Sequence, residues 1–74
     1  MRPSTNRVEN ALMPFVTIQD NKKYMPKENV DKAIDLVTDS FSDCFCEVSP
    51  HPDSPIFIFK VARAKRVFFE AVII

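Results

Sequence analysis

The final stretch of the chain, IFIFKVARAKRVFFEAVII (residues 56–74), constrains the fold most, because it is apolar almost throughout apart from a basic cluster at its middle and Glu70. Two runs rich in β-branched and aromatic residues, separated by a short polar break, are typical of a β-hairpin. A turn at Ala64 and Lys65 predicts antiparallel strands in which Arg63 faces Arg66. Neither turn residue is glycine or asparagine, so a longer loop would change the register and exchange the faces of the hairpin.

With this register both faces of the hairpin are apolar. We assign one face to a core packed against a helix: Ile56, Ile58, Val67, Phe69, Ala71 and Ile73. The other face carries Phe57, Phe59, Val61, Phe68 and Val72. Three ways of using this second face stay open: coverage by Val8, Leu12 and Phe15, contact with another protein or a second copy of the chain, or stacking of single-stranded nucleic acid.

The segment PKENVDKAIDLVTDSF predicts a helix over residues 26–42, with proline in its first turn and an acid near its positive end. At about 100° per residue, one side of this helix is apolar and packs on the core. The apolar side comprises Val30, Ala33, Ile34, Val37 and Phe41. The opposite side is an acidic ridge comprising Glu28, Asp31, Asp35 and Asp39.

The remaining segments complete an α+β fold in one domain, residues 1–74. Residues 1–14 form a short helix, over about residues 6–13, or a partly ordered arm, and residues 15–25 form a strand or hairpin that turns at Asp20 and Asn21. Residues 44–74 form a three-stranded meander, with a proline-rich loop between its first two strands. The predicted architecture is a small antiparallel sheet packed against one amphipathic helix.

Composition argues against catalysis. The chain has no glycine, which excludes glycine-rich phosphate loops and nucleophile elbows. Cys44, Cys46, His51 and Asp53 could be assembled into a metal site, but their spacing departs from that of zinc sites, so we predict no metal and no cofactor. The single histidine has no evident nucleophile or orienting group. We therefore expect no enzymatic activity.

The location expected from the sequence is the cytoplasm. The N-terminal segment MRPSTNRVEN lacks the apolar core of a signal peptide. Cys44 and Cys46 are too close in an extended segment for an easy disulfide, which favours reduced thiols. The apolar runs are too short to cross a membrane as a helix.

Charge is segregated along the chain although it sums to zero. Residues 28–53 carry seven acids and one base, whereas the segments before and after are each net positive by three. We therefore expect a small binding protein that inhibits or modulates a larger macromolecule, of the kind that phages and mobile elements direct at host proteins. Its predicted contacts are the acidic ridge and an apolar anchor of Phe57, Phe59 and Phe68, with a homodimer through the hairpin as a further possibility.

The alternative function is a nucleic-acid-binding regulator. It would use a basic tip on the C-terminal hairpin, made of Lys60, Arg63, Lys65 and Arg66. Basic residues at the end of a rigid hairpin could contact phosphates.

Overall fold

A computed structural model describes residues 3–74, with side chains from Arg7 onward. Within this range the chain forms two α-helices, one short 3-10 helix and five strands. In chain order they are α1 (Pro3–Leu12), the 3-10 helix (Met13–Phe15), β1 (Thr17–Gln19), β2 (Lys22–Met25), α2 (Lys27–Ser40), β3 (Phe45–Pro50), β4 (Phe57–Arg63) and β5 (Arg66–Ile73). No helix in residues 3–74 is long and apolar enough to cross a membrane.

The five strands form one mixed sheet in the order β1-β2-β5-β4-β3. The α+β class and the C-terminal meander are confirmed, but the prediction of a small, purely antiparallel sheet is wrong, because β2 pairs with β5 in parallel. The reason is the long connection through α2. It carries the chain from β2 to the far edge of the sheet, and the meander then returns toward β2 until β5 lies beside it.

The N-terminal hairpin confirms the turn predicted at Asp20 and Asn21. Gln19 pairs with Lys22, and the two residues between them have φ angles of 54° and 65°. A two-residue hairpin loop with both central residues at positive φ is the type I′ arrangement, and aspartate and asparagine tolerate this region better than most residues. The chain therefore makes a tight turn without glycine.

The C-terminal hairpin has the predicted turn but not the predicted faces. Arg63 pairs with Arg66 and Ala62 with Val67, as expected, but a β-bulge follows and Val61 then pairs with Phe69. The bulge places Phe68 as an extra residue in β5. From there to the end of the hairpin, every residue of β4 faces a partner one position further along β5 than the sequence predicted.

The bulge corrects the core assignment. Phe69 and Ala71 are buried and Ile73 packs against the core, as predicted, but the prediction for Ile56, Ile58 and Val67 is wrong. Phe59 and Val61 are the fully buried residues of β4. The shift by one residue sends the alternate side chains of β4 inward, since successive side chains of a strand point to opposite faces.

Both helices cover the same side of the sheet. Val8 and Leu12 of α1 belong to the same buried cluster as Ala33 and Val37 of α2. We call this side, which carries Phe59, Val61, Phe69 and Ala71, the covered face. The opposite side, which carries Ile58, Lys60, Glu70 and Val72, is the open face. Of the three alternatives for the face that carries Phe59 and Val61, coverage by N-terminal residues agrees with the structure. We expected α2 on the opposite face of the hairpin, but α2 lies on this same face.

Candidate functional site

Half of the exposed large apolar side chains share one place. Among the described side chains, six large apolar residues are exposed: Ile18, Phe45, Val48, Phe57, Val67 and Ile74. Three of the six, Val48, Phe57 and Ile74, line a single groove with a volume of about 690 Å³. A contiguous exposed apolar surface of this kind marks an interaction site more often than scattered residues do.

The groove lies between the first turns of α2 and one end of the sheet, and we call it the α2 groove. Its floor and walls are completed by Val30, Pro55, Ile56 and Ile73, with Lys27 and Asp31 also on its lining. Phe57 is 50% exposed, Val48 44% and Ile74 59%. The groove therefore presents apolar surface to solvent, and the charged side chains of Lys27 and Asp31 lie along its edge.

Backbone hydrogen bonds hold the C-terminal side of the groove in place. The amide of Ile74 donates to the carbonyl oxygen of Met25 at 2.9 Å, and the amide of Lys27 donates to the carbonyl oxygen of Ile74 at 3.0 Å. These bonds link β5 to the junction between β2 and α2. The exposed Ile74 side chain is thus carried by backbone that is fixed on both sides.

The acidic ridge has the position that the sequence predicted. Glu28, Asp31, Asp35 and Asp39 all lie on α2 and all are exposed. Asp31 also lines the α2 groove, so the ridge begins at the apolar surface and continues away from it along the helix. The helix ends at Ser40, so Asp43, which the same four-residue spacing would place next in the ridge, lies outside α2.

The predicted apolar anchor is divided by the fold. Phe57 lies in the α2 groove, whereas Phe59 is fully buried and Phe68 only 9% exposed. Phe59 packs edge-on against Phe69, with ring centroids 6.3 Å apart. Of the three aromatic residues, Phe57 alone is available to a partner, and its neighbours there are Val48 and Ile74. The sequence signal for Val48 was its place in an alternating strand, which is too common a pattern to indicate a site.

The basic tip is partly neutralised. Arg63 Nη1 lies 2.9 Å from Asp43 Oδ2, and its guanidinium lies 5.5 Å from the centroid of the Phe68 ring. The hydrogen bond from Arg63 lowers the pKa of Asp43 below its ordinary value of 3.8, assisted by a backbone hydrogen bond. Lys60 faces Glu70 across the open face, at 3.9 Å between Nζ and Oε2. Lys65 and Arg66 remain exposed at the turn.

The cysteines and the histidine are not brought together as ligands. Cys44 and Cys46 are half-buried and pack against the core, and burial is the main cause of the raised pKa of both thiols. The Nδ1 atom of His51 accepts a hydrogen bond from the amide of Asp53 at 3.1 Å, within the proline-rich loop. Within the described side chains, no group of three or more potential ligands is placed to hold a metal.

Comparison with known proteins identifies no relative: no family model, no curated protein and no solved structure matches the chain.

Proposed function

We propose that this protein is a small, non-enzymatic binding protein that inhibits or modulates a larger macromolecule by protein–protein contact through the α2 groove. The observation that carries the proposal is the concentration of exposed apolar residues there: Val48, Phe57 and Ile74 line one groove beside the acidic ridge. Apolar centres with polar or charged rims are the usual anatomy of protein interfaces.

The chemistry of the groove suggests what the partner presents. An apolar or aromatic side chain of the partner would fill the space around Phe57, since such anchors supply most of the affinity at interfaces. Basic side chains around that anchor would face Asp31 and the rest of the ridge. The ridge would then accelerate association and select the partner more than it would tighten the complex. A phage or mobile-element inhibitor directed at a basic surface of a host protein fits this description.

The first experiment is site-specific photocrosslinking. A photoreactive amino acid at Phe57 is compared with the same amino acid at Ile18, which is equally exposed (53% against 50%) but lies on β1, outside the α2 groove. We expect a discrete adduct from position 57 and none from position 18. Equal labelling from both positions would contradict the proposal.

The captured partner, once purified, allows a quantitative test by calorimetry. Phe57→Ala should weaken binding at least about tenfold, as expected for an anchor residue. Asp31→Lys should weaken binding more in low salt than in high salt, because an exposed rim charge is screened. Ile18→Ala is the matched control and should leave the affinity unchanged. An affinity that survives Phe57→Ala would remove the groove from the interface.

The alternative function, nucleic-acid binding through the basic tip, has less support because Arg63 and Lys60 each have a carboxylate partner. It predicts salt-dependent binding of a fluorescent single-stranded oligonucleotide, measured by anisotropy. Loss of that binding in the Lys65→Ala/Arg66→Ala variant, together with retention in Phe57→Ala, would favour the alternative over the groove.

A further inference from the structure

The open face of the sheet carries a row of alternating charges. Lys60 of β4 pairs with Glu70 of β5 on one side and with Glu47 of β3 on the other. Lys22 of β2 lies at the same level. Tyr24 pairs with Val72 in the parallel ladder, and Lys22 is two residues before Tyr24 just as Glu70 is two residues before Val72. Across the strands β2, β5, β4 and β3, the row therefore reads positive, negative, positive, negative.

This order is complementary to itself. A twofold axis that runs along the strands, between β5 and β4, would lay a second copy of the sheet face to face on the first and reverse the row. Lys22 would then lie opposite Glu47 of the second copy, and Glu70 opposite Lys60. Every charge in the row would meet the opposite charge, whereas a direct superposition without reversal would place like charges together.

The rows on either side are compatible with the same axis. On one side, Tyr24, Val72, Ile58 and Ser49 are aligned across the sheet, and reversal places Val72 on Ile58 of the second copy. On the other side, Val67, Ala62 and Phe45 are aligned, and reversal places Val67 on Ala62. Val67 and Phe45 are 51% and 67% exposed, so apolar surface is available on this side of the charges, and on the other side Val72 and Ile58 are partly exposed.

The size of the face suits a weak dimer. About this axis the four strands β2 to β5 overlap with those of the second copy, and their 25 residues, at about 3.3 Å per residue and about 4.8 Å between strands, give a flat area of roughly 400 Å² per copy. Two copies packed face to face, about 10 Å apart, would bury roughly 800 Å² in total, which is the size of a weak, transient interface. We propose that the open face is a homodimer interface, in which the apolar rows supply affinity and the alternating charges set the register.

This proposal is independent of the α2 groove, which lies on the other side of the sheet. In the dimer the two grooves and the two acidic ridges would remain accessible and point away from each other. A dimer would thus be bivalent toward a partner, and the loss of either site would leave the other testable.

The test is the solution mass of the full chain, by light scattering coupled to size exclusion, from micromolar to millimolar concentration. We expect a species with twice the chain mass of 8.5 kDa at the upper concentrations. A monomer throughout this range would overturn the proposal.

Charge-reversal variants test the geometry. E70K alone places like charges opposite each other at two symmetric positions and should raise the dissociation constant of the dimer at least about tenfold. K60E/E70K exchanges the two charges, restores opposite charges at every position and should recover dimerisation. The control is D35K, the same type of change on the exposed side of α2, which should have no effect. A dimer unaffected by E70K, or not rescued by the double variant, would refute this arrangement.

An apolar substitution provides a second arm. Ile58→Thr on the open face keeps a β-branched side chain and should weaken the dimer about tenfold, whereas Ile18→Thr on β1 should not. Circular dichroism of each variant checks that the monomer is folded. A dimer that persists in Ile58→Thr must use another surface and would overturn the proposal.

Discussion

The two faces of the sheet are built from neighbouring residues and differ in almost every respect. The covered face has Phe59, Val61, Phe69 and Ala71 buried under two helices, while the open face alternates apolar rows with a charged row and remains accessible. Adjacent residues of one strand therefore belong to different environments. The covered face therefore maintains the fold, whereas the side chains of the open face can be changed without removing residues from the core.

The largest effect should come from Phe59→Ala compared with Ile58→Ala. Phe59 is fully buried, so its truncation leaves a cavity and should cost about 3–5 kcal/mol of unfolding free energy. Ile58 is one residue away on the open face, and its truncation should cost about 1 kcal/mol in the monomer. Urea unfolding at low protein concentration measures both. Equal losses would mean that the two faces are not distinct in the way described.

Phe57→Ala should have an intermediate effect on stability, because Phe57 lies on the covered side but in the α2 groove and not in the buried core. Phe57 is half-exposed in the α2 groove, so its removal should cost about 1–2 kcal/mol of stability, well below the cost at Phe59. Thermal unfolding gives the stability. A loss as large as that of Phe59→Ala would show that Phe57 belongs to the core and would weaken the case for the groove as a binding site.

Ala64→Gly should stabilise the protein by about 1 kcal/mol, because Ala64 has a φ of 55° and a non-glycine residue is strained there. The turn fixes the pairing of Arg63 with Arg66 at the tip of the hairpin. The corresponding change in the other hairpin, Asp20→Gly, should give a smaller gain since aspartate already tolerates positive φ. Urea unfolding of the two variants is the measurement, and a destabilised Ala64→Gly protein would contradict this account.

The smallest effect concerns pH and the ion pair that ties the segment after α2 to the C-terminal hairpin. The pKa of Asp43 is lowered in the folded protein by Arg63, so the pair contributes stability above the ordinary pKa of 3.8. That contribution is lost as pH falls through the lowered pKa. The stability difference between wild type and Asp43→Asn should therefore be visible near neutral pH and vanish in acid.

The control for this prediction is Asp53→Asn, in the proline-rich loop. A difference that stayed constant with pH would show that the carboxylate charge is not what stabilises this contact.

Several elements could be predicted because their signals are local. The helix α2 has an apolar stripe at helical spacing and a proline before its first residue, and the acidic ridge follows from the same periodicity. The hairpin of β1 and β2 is indicated by Asp20 and Asn21, whose side chains favour the turn. Each of these features depends on residues within a few positions of one another.

The candidate sites were less predictable because they depend on which face a side chain joins. Phe57, Phe59 and Phe68 are equivalent in the sequence, yet one lies in a groove and two are buried. Phe57 and Phe59 lie on the same side of β4, and they differ because Phe59 is under the helices whereas Phe57 is at the end of the sheet. The bulge at Phe68 sets which side of β4 faces the helices, and no residue type in this segment predicts it. A one-residue slip reverses the faces of a strand, so an otherwise correct hairpin led to the wrong assignment for Ile58.

The α+β class, the positions of α2 and both hairpins, and the exposure of the acidic ridge can be predicted from local patterns, because periodicity and turn chemistry act over short distances. Three features emerge only when the elements pack together: β2 pairs in parallel with β5, both helices cover one face, and the charged row of the open face is assembled from four strands. These features join residues far apart in the chain. Their arrangement is set by how the apolar surfaces of all the elements can be buried together, which no single segment specifies.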